Sequence, residues 1–348
     1  MKTYRAAILG LGRMGNTIDD EIPPSRDFML PYGLPGACQA VEQLDLVAGC
    51  DLLPEKRANF SERWGVPAVY EDLDEMIAKE QPDLVAICTR ADVHSELAVR
   101  VANAGVPMMY LEKAIACSPR EADDVLAACQ AHRTVFNSGV LNRFSKTFGA
   151  ARDLIVQGRI GEPKAAIQFP ARSLLHGHIH SVDALSYLLG DPRITRVRGE
   201  LHPRDLEIVD GRLDDDPMAS YHLEFENGVE AWSISAGQHE FEIVGTEGVV
   251  RTLNNAEGLS LRVNRPTDSS RHREWHAEPL PEVEKSSSVV TCLEDLIEAH
   301  ETGRPTLNHI EQAHHVTEAC FAIAESHRRG GAWVDLPLTD RDLYIYHV

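Results

Sequence analysis

Gly10-Leu11-Gly12-Arg13-Met14-Gly15 follows the apolar run Ala6-Ala7-Ile8-Leu9 near the start of the chain. A G-x-G-x-x-G run behind an apolar strand needs glycine in three places for three reasons. The first permits a tight strand-to-helix turn, the second lets backbone approach a pyrophosphate, and the third lets the next helix lie close to the strand. The pyrophosphate then meets free N–H groups at the positive end of that helix. Glycine spacing alone is a weak signal; it is strengthened here by its place at the first strand and by the residues downstream.

Leu46-Val47-Ala48-Gly49-Cys50 reads as a second buried strand, and Asp51 closes it. A carboxylate there accepts hydrogen bonds from adenosine ribose hydroxyls and repels a 2′-phosphate. Leu52 and Leu53 come next, with no arginine to hold such a phosphate, so NAD is expected rather than NADP. Asp51 lies 36 positions after Gly15, against about 20 in the usual fingerprint. The surplus is visible as Asp19-Asp20-Glu21-Ile22-Pro23-Pro24-Ser25-Arg26-Asp27, a polar stretch whose prolines cannot continue a helix. Residues 19–33 read as an inserted loop near the cofactor site, either a solvated excursion or a substrate lid.

The 348 residues suit two domains and a large core. A net charge of −20 argues against nucleic-acid and anionic-membrane partners. Residues 1–5 lead straight into the first strand, and no apolar run is long enough to cross a bilayer. No targeting leader is therefore expected, and the cytoplasm is the expected location. The seven cysteines, Cys38, Cys50, Cys88, Cys117, Cys129, Cys292 and Cys320, form no C-x-x-C pair. They read as reduced core thiols.

Apolar runs predict strands at 4–9, 46–50, 67–70, 84–88, 107–111 and 134–138, with helical patterns between them, as at 92–104 and 119–132. Strands alternating with helices imply a parallel sheet covered on both faces, with the ligand at its carboxyl edge. Past residue 140 the pattern changes. Helices are expected at 145–157, 179–189, 290–301 and 311–328, and strands at 164–170, 194–201, 218–226, 229–236, 239–245 and 248–253. Asn227-Gly228 makes a hairpin turn between two of these strands. Residues 264–288 are polar and read as a long irregular loop. The expected fold is α/β: an N-terminal Rossmann doubly wound parallel sheet over 1–140, and an α+β substrate-binding domain with a mostly antiparallel sheet over 141–348.

Leu111-Glu112-Lys113-Ala114 ends the fifth strand, at the edge where a nicotinamide would lie. Lys113 there is either a proton acceptor for a substrate hydroxyl or a surface lysine in a salt bridge. A second cluster is His176-Gly177-His178-Ile179-His180-Ser181-Val182-Asp183. On a helix, His176, His180 and Asp183 share one face, with Tyr187 a turn further on. A histidine can shuttle the proton that accompanies hydride transfer while a carboxylate orients its ring. Two other readings compete: H-x-H-x-H on a strand could bind zinc, though no nearby Cys or Glu completes a site, or the histidines are structural.

These motifs together resemble the glucose–fructose oxidoreductase / inositol dehydrogenase (Gfo/Idh/MocA) family over nearly the whole chain. Gly10 to Gly15, with Arg13 and Met14 between, resemble its dinucleotide loop. Thr89 through His94 resemble its Thr-Pro-Asn-x-x-His segment over the cofactor, and Glu112-Lys113-Ala114 stands where it has Glu-Lys-Pro. Asn142-Arg143-Phe144 resembles the segment opening its second domain, His180-Ser181-Val182-Asp183 its His-x-x-Asp helix, and Gly245-Thr246-Glu247-Gly248 its Gly-Thr-x-Gly turn. The resemblance implies NAD(P)-linked oxidation or reduction of a sugar, polyol or related ring, with Lys113 as acid/base and His180 as its partner across the substrate. Cofactor contacts are expected for Gly10, Gly12, Arg13, Met14, Gly15, Asp51, Thr89, His94, Glu112 and Lys113, and substrate contacts for Arg143, His176 and Tyr187. Assembly as a homodimer or homotetramer through the second-domain sheet is also implied, and no metal is expected.

Three positions depart from the family pattern. Ala114 replaces the usual proline, so the Lys113–Ala114 backbone is expected to be either trans or strained. His176 stands where the family has an aspartate, and His178 where it has a glycine; the carboxylate of the Lys–Asp–His set then comes from Asp183 or is absent. The main expectation is an NAD-dependent dehydrogenase of a cyclic polyol or sugar. Two rivals stand beside it: a lyase or glycoside-cleaving enzyme that keeps its NAD in a closed redox cycle, and a non-catalytic dinucleotide sensor.

Overall fold

The computed structural model describes residues 2–170, 172–267, 273–280 and 282–347. The chain forms two compact units. Unit 1 comprises Met1–Phe144, Ser286–His314 and Tyr346–Val348, and unit 2 comprises Ser145–Lys285 and His315–Ile345.

Six strands make the sheet of unit 1: β1 (Tyr4–Leu9), β2 (Leu44–Cys50), β3 (Val69–Tyr70), β4 (Leu84–Ile87), β5 (Met108–Leu111) and β6 (Val135–Ser138). Their order is β3-β2-β1-β4-β5-β6 and every pairing is parallel. Helices α1 (Leu34–Ala40), α2 (Pro54–Trp64), α3 (Leu73–Glu80), α4 (His94–Asn103) and α5 (Pro119–His132) connect them. Because both faces are covered, the strands are apolar throughout rather than alternating. Successive side chains still point opposite ways. Ala6, Ile8, Leu84, Ala86, Met108 and Tyr110 enter one core with α1 and Phe60 of α2. Ala7, Leu9, Val85, Ile87, Met109 and Leu111 enter the other with residues of α3, α4 and α5. Six of the seven free cysteines are buried and Cys88 is partly so.

Two segments differ from the sequence reading. Residues 19–33, expected as an inserted loop, are locally ordered. They contain 3₁₀ turns at Ile18–Glu21 and Pro24–Met29, and Asp19 Oδ1 accepts N–H bonds from Tyr32 at 2.8 Å and Gly33 at 2.6 Å. One short carboxylate thus ties the two ends of the excursion together. The helix α8 (Ser288–Thr302), assigned from the sequence to the second domain, belongs to unit 1. Val289, Cys292, Leu293 and Leu296 on one of its faces join the core formed by Ile8, Leu34 and Tyr110. Ser287 caps it, accepting the Val290 N–H and donating to Pro31 O at 2.5 Å.

Unit 2 contains α6 (Lys146–Val156), β7 (Pro163–Phe169), β8 (Arg172–Ser173), α7 (Ile179–Leu189) and β9 (Ile194–His202). Next come β10 (Arg212–Leu213), β11 (Met218–Phe225), β12 (Glu230–Ser233), β13 (Glu240–Gly245), β14 (Gly248–Leu253), β15 (Gly258–Pro266) and β16 (Arg273–Glu278). The helix α9 (Ile310–Arg328) and the short strands β17 (Val334–Asp335) and β18 (Tyr344–Ile345) complete it. The main sheet runs β16-β15-β14-β13-β7-β12-β11-β9-β17, with β8 beside β11. Only β7 with β12 is parallel among its pairings. β10 and β18 form a separate parallel pair. Asn227-Gly228 turns β11 into β12, with Gly228 at φ +78° and Asn227 Oδ1 accepting the Val229 N–H. Gly199 lets α9 lie on β9, since a Cβ there would come within 2.7 Å of Ile323 Cγ2.

The expected irregular loop over 264–288 is corrected in part. β15 and β16 pair antiparallel from Leu261↔Glu278 to Pro266↔Arg273, while residues 268–272 and 281 lie outside the described residues. β16 is an exposed edge strand, so nothing buries one of its faces and no apolar alternation marks it.

The placement of α8 is testable. Leu293→Ala is expected to lower unfolding free energy by about 2–5 kcal/mol in chemical denaturation, as for a buried leucine in a packed core. A loss below about 0.5 kcal/mol, typical of a surface site, would contradict this packing.

Candidate functional site

The glycine loop meets its three steric requirements one by one. Gly10 has φ +89°, and a Cβ on it would lie 2.8 Å from Thr89 N and Cys88 C. A Cβ on Gly15 would lie 2.0 Å from Gly10 O, so the turn after β1 closes only without one. Gly12 differs, because among the described residues a Cβ there would meet nothing within 4 Å beyond its chain neighbours. The space over Gly12 is therefore open on the protein side. The chain continues as a π-helical turn over Arg13–Thr17 rather than a long α-helix. Arg13 is exposed and forks onto Glu21 at 2.8 and 2.6 Å, while Met14 packs against the core.

Asp51, past the end of β2, faces this loop. Its Oδ2 accepts the Leu11 N–H at 2.9 Å and its Oδ1 accepts the Leu53 N–H at 3.0 Å. Lys56 Nζ stands 3.7 Å away, a cation that the sequence reading did not place beside Asp51. Thr89, past β4, has a buried Oγ1 that no described residue bonds. An open glycine face, a carboxylate at the end of β2 and an orphaned hydroxyl all fit the pyrophosphate and ribose of a dinucleotide at the carboxyl edge of the sheet.

His94 is placed otherwise than expected. It is buried, with Nδ1 2.7 Å from Ala114 O and Nε2 3.0 Å from Thr89 O. Both ring nitrogens are taken up by backbone, so His94 ties the loop after β4 to the loop after β5 and has no nitrogen left for a cofactor. Burial pulls its pKa down, while the two carbonyls favour the charged ring.

The tied loop carries Lys113, which is half-buried at the end of β5, and the Lys113–Ala114 bond is cis. Glu112 beside it is buried. Its Oε1 accepts from Tyr110 Oη at 2.5 Å and its Oε2 from the Lys113 N–H at 3.2 Å. Gly139 makes room for this carboxyl, since a Cβ there would come within 2.7 Å of Oε1. Burial raises the Glu112 pKa, and the Lys113 ammonium pulls it back. Tyr32, from the insertion, joins this environment: burial first, then the charge of Glu112, pushes its phenol up to about 12. Tyr32 carries no distinguishing signal in the sequence, because its proximity to Glu112 arises only when the insertion folds back.

In unit 2 a π-helical turn over Leu174–His178 precedes α7. Asp216 fixes it, accepting the N–H groups of Leu175 at 2.8 Å and His176 at 2.7 Å. His176 belongs to this turn and His180 to the first turn of α7. His176 is exposed, His180 half-buried and Asp183 fully buried. Asp183 faces α9, where burial, Asp216 and Asp183 together push the Cys320 thiol up. Tyr187 lies beneath the Arg152 guanidinium, 4.5 Å from its ring centroid. Among the described residues, no three His, Cys, Asp or Glu side chains are grouped to hold a metal ion.

Arg143, expected to bind substrate, is 2 % exposed in unit 1, and its Nη1 donates to Leu307 O at 3.2 Å. Sequence reasoning passed over a different arginine, Arg172 of β8, and also His239 before β13, because neither stands in a recognisable motif.

Comparison with known proteins supplies an independent view. The model of an oxidoreductase family with an NAD-binding Rossmann fold (GFO_IDH_MocA) matches residues 4–140, and the model of that family's C-terminal alpha/beta domain matches residues 164–336. An uncharacterized oxidoreductase of Streptococcus pneumoniae is 26% identical over 59% of this chain, and the match spans 61% of that relative's length. The scyllo-inositol 2-dehydrogenase (NAD(+)) of Bacillus subtilis is 27% identical, over 71% of this chain and 72% of its own. Among solved structures, a levoglucosan dehydrogenase in complex with NADH and levoglucosan superposes with a TM-score of 0.75. It is 19% identical and covers 97% of this chain and 100% of its own. At that identity the likeness concerns the fold. No helix among the described residues is long and apolar enough to cross a membrane.

Two alanine variants separate ligand space from protein space in the glycine loop. Gly12→Ala is expected to keep thermal stability within about 0.5 kcal/mol of the parent while NAD affinity, read by calorimetry, falls at least about tenfold. Gly15→Ala is expected to lower stability itself. Unchanged NAD affinity in Gly12→Ala would contradict the assignment.

Proposed function

Since the chain belongs to the Gfo/Idh/MocA oxidoreductase family, we propose that it transfers hydride between NAD and a secondary alcohol or ketone of a sugar, cyclic polyol or sugar derivative. The observation that carries this reading is Lys113. It is half-buried at the carboxyl end of β5, two strands from β1 and its glycine loop, and the His94 bridge ties its loop to Thr89. Gly10, Gly12, Gly15, Asp51 and Thr89 would hold NAD, which when bound supplies the hydride acceptor.

The protein's part is proton handling and orientation. The neutral Lys113 amine accepts the hydroxyl proton as the carbonyl forms, and the ammonium returns it in the reductive direction. Glu112 lies beside Lys113, and the lysine charge favours the ionised carboxyl against the burial that raises its pKa. His180 hydrogen-bonds the same or a neighbouring hydroxyl, with Asp183 one turn further along α7. The B. subtilis relative, named for scyllo-inositol, supports a ring polyol or its derivative as substrate class. Association of copies through the sheet of unit 2 belongs to the same reading.

Lys113→Ala is expected to lower kcat about 10²- to 10⁴-fold, the usual contribution of a positioned acid/base, with NAD affinity little changed. Steady-state kinetics beside NAD titration checks this; normal turnover by the variant would contradict the role of Lys113.

A further inference from the structure

Arg172 opens β8, where pairing with Ala219 of β11 fixes its backbone, and its N–H lies 3.1 Å from His178 Nε2. Its stem crosses Gly177: a Cβ on that glycine would come within 2.5 Å of Arg172 Cβ and 3.0 Å of its Cδ. Gly177 therefore leaves the space in which the arginine side chain lies. The residue is partly buried, and among the described residues its guanidinium has neither a carboxylate nor a carbonyl partner. Burial lowers its pKa, and no acid among the described residues restores it. Other partly buried arginines of unit 2 are paired, Arg152 with Asp191 at 2.8 Å and Arg251 with Glu240 at 2.6 Å. A guanidinium has five N–H donors in a planar fork, and here none of its nitrogens is both buried and unpartnered, so the fork is open to an incoming acceptor.

Two imidazoles lie in its field. His178 is fully buried, its Nε2 lies 2.8 Å from Ala219 O and its Nδ1 has no partner among the described residues. His239 is partly buried, and its Nδ1 also has no partner among the described residues. Each ring stands edge-on to an aromatic, His178 to Tyr221 at 4.9 Å and His239 to Phe241 at 5.1 Å. Burial first, and the Arg172 charge after it, hold the two pKa values down to about 4 and about 3. Near neutral pH the cluster therefore has one fixed positive charge and two neutral rings with unused nitrogens.

We propose that Arg172, flanked by His178 and His239, binds a carboxylate, and that the substrate of this chain is a sugar acid or cyclitol acid rather than a neutral polyol. The planar fork matches the two oxygens of a carboxylate, and a single charge balances it. A phosphate dianion would ask for a second cation, which the neutral rings do not supply, in a chain of net charge −20. The substrate assignment rests on the oxidoreductase reading above; the carboxylate site does not.

The test is calorimetric binding to the full-length protein in the presence of NAD. The probes are D-glucuronate, D-galacturonate and D-gluconate, each paired with its neutral counterpart D-glucose, D-galactose or D-glucitol, together with D-glucose 6-phosphate. At least one acid is expected to bind about tenfold or more tightly than its counterpart, the gain of one charge-assisted pair. Arg172→Gln should remove that advantage and Arg172→Lys restore part of it, with NAD affinity and melting temperature of both variants showing intact folding. The proposal is overturned if no acid outbinds its neutral counterpart, if the advantage survives in Arg172→Gln, or if the sugar phosphate binds more tightly than every carboxylate. Arg172-dependent acid binding without NADH formation would uphold the site and contradict the dehydrogenase reading.

Discussion

There is no room for a methyl group between Gly15 and the carbonyl of Gly10, where a Cβ would stand 2.0 Å from the oxygen. The candidate cofactor edge is arranged around this constraint. It turns the chain sharply off β1, in the middle of the sheet between β2 and β4. It leaves the Leu11 N–H to Asp51 at the end of β2, and it brings Gly10 against Thr89 at the end of β4. His94 then links Thr89 to Ala114, so the position of Lys113 is tied through one buried ring to the glycine turn.

Much of this was legible in the sequence because it depends on local rules. The glycines, Asp51 and Lys113 stand at strand ends, and buried parallel strands are apolar runs that can be seen without knowing their neighbours. What escaped depends on the return of distant chain. The face of α8 that buries Val289 and Leu293 has an ordinary amphipathic pattern, which does not state the sheet it will cover. Tyr32 reaches the surroundings of Glu112 only because Asp19 closes the insertion. β16 has no apolar face, so it carries no periodic signal at all.

The arginines show the same limit at the level of chemistry. Arg143 stands in a recognisable motif and Arg172 does not, yet the first is buried with its Nη1 on Leu307 O and the second is partly buried with no acid among the described residues to offset its desolvation. The histidine cluster likewise differs in burial from residue to residue. His176 faces solvent, His178 is in the core and His180 lies between these extremes, so three similar residues in a short span do three different things.

Net hydride transfer is the central claim, and near-ultraviolet absorbance of NADH tests it most directly. Purified protein and NAD would be mixed with inositols, aldoses, hexuronates, aldonates and glycosides. Growth of NADH absorbance with one class of hydroxylated substrate is the predicted result. NAD binding without NADH formation from any of these compounds would contradict the account, and would direct attention to a closed redox cycle or to a sensor.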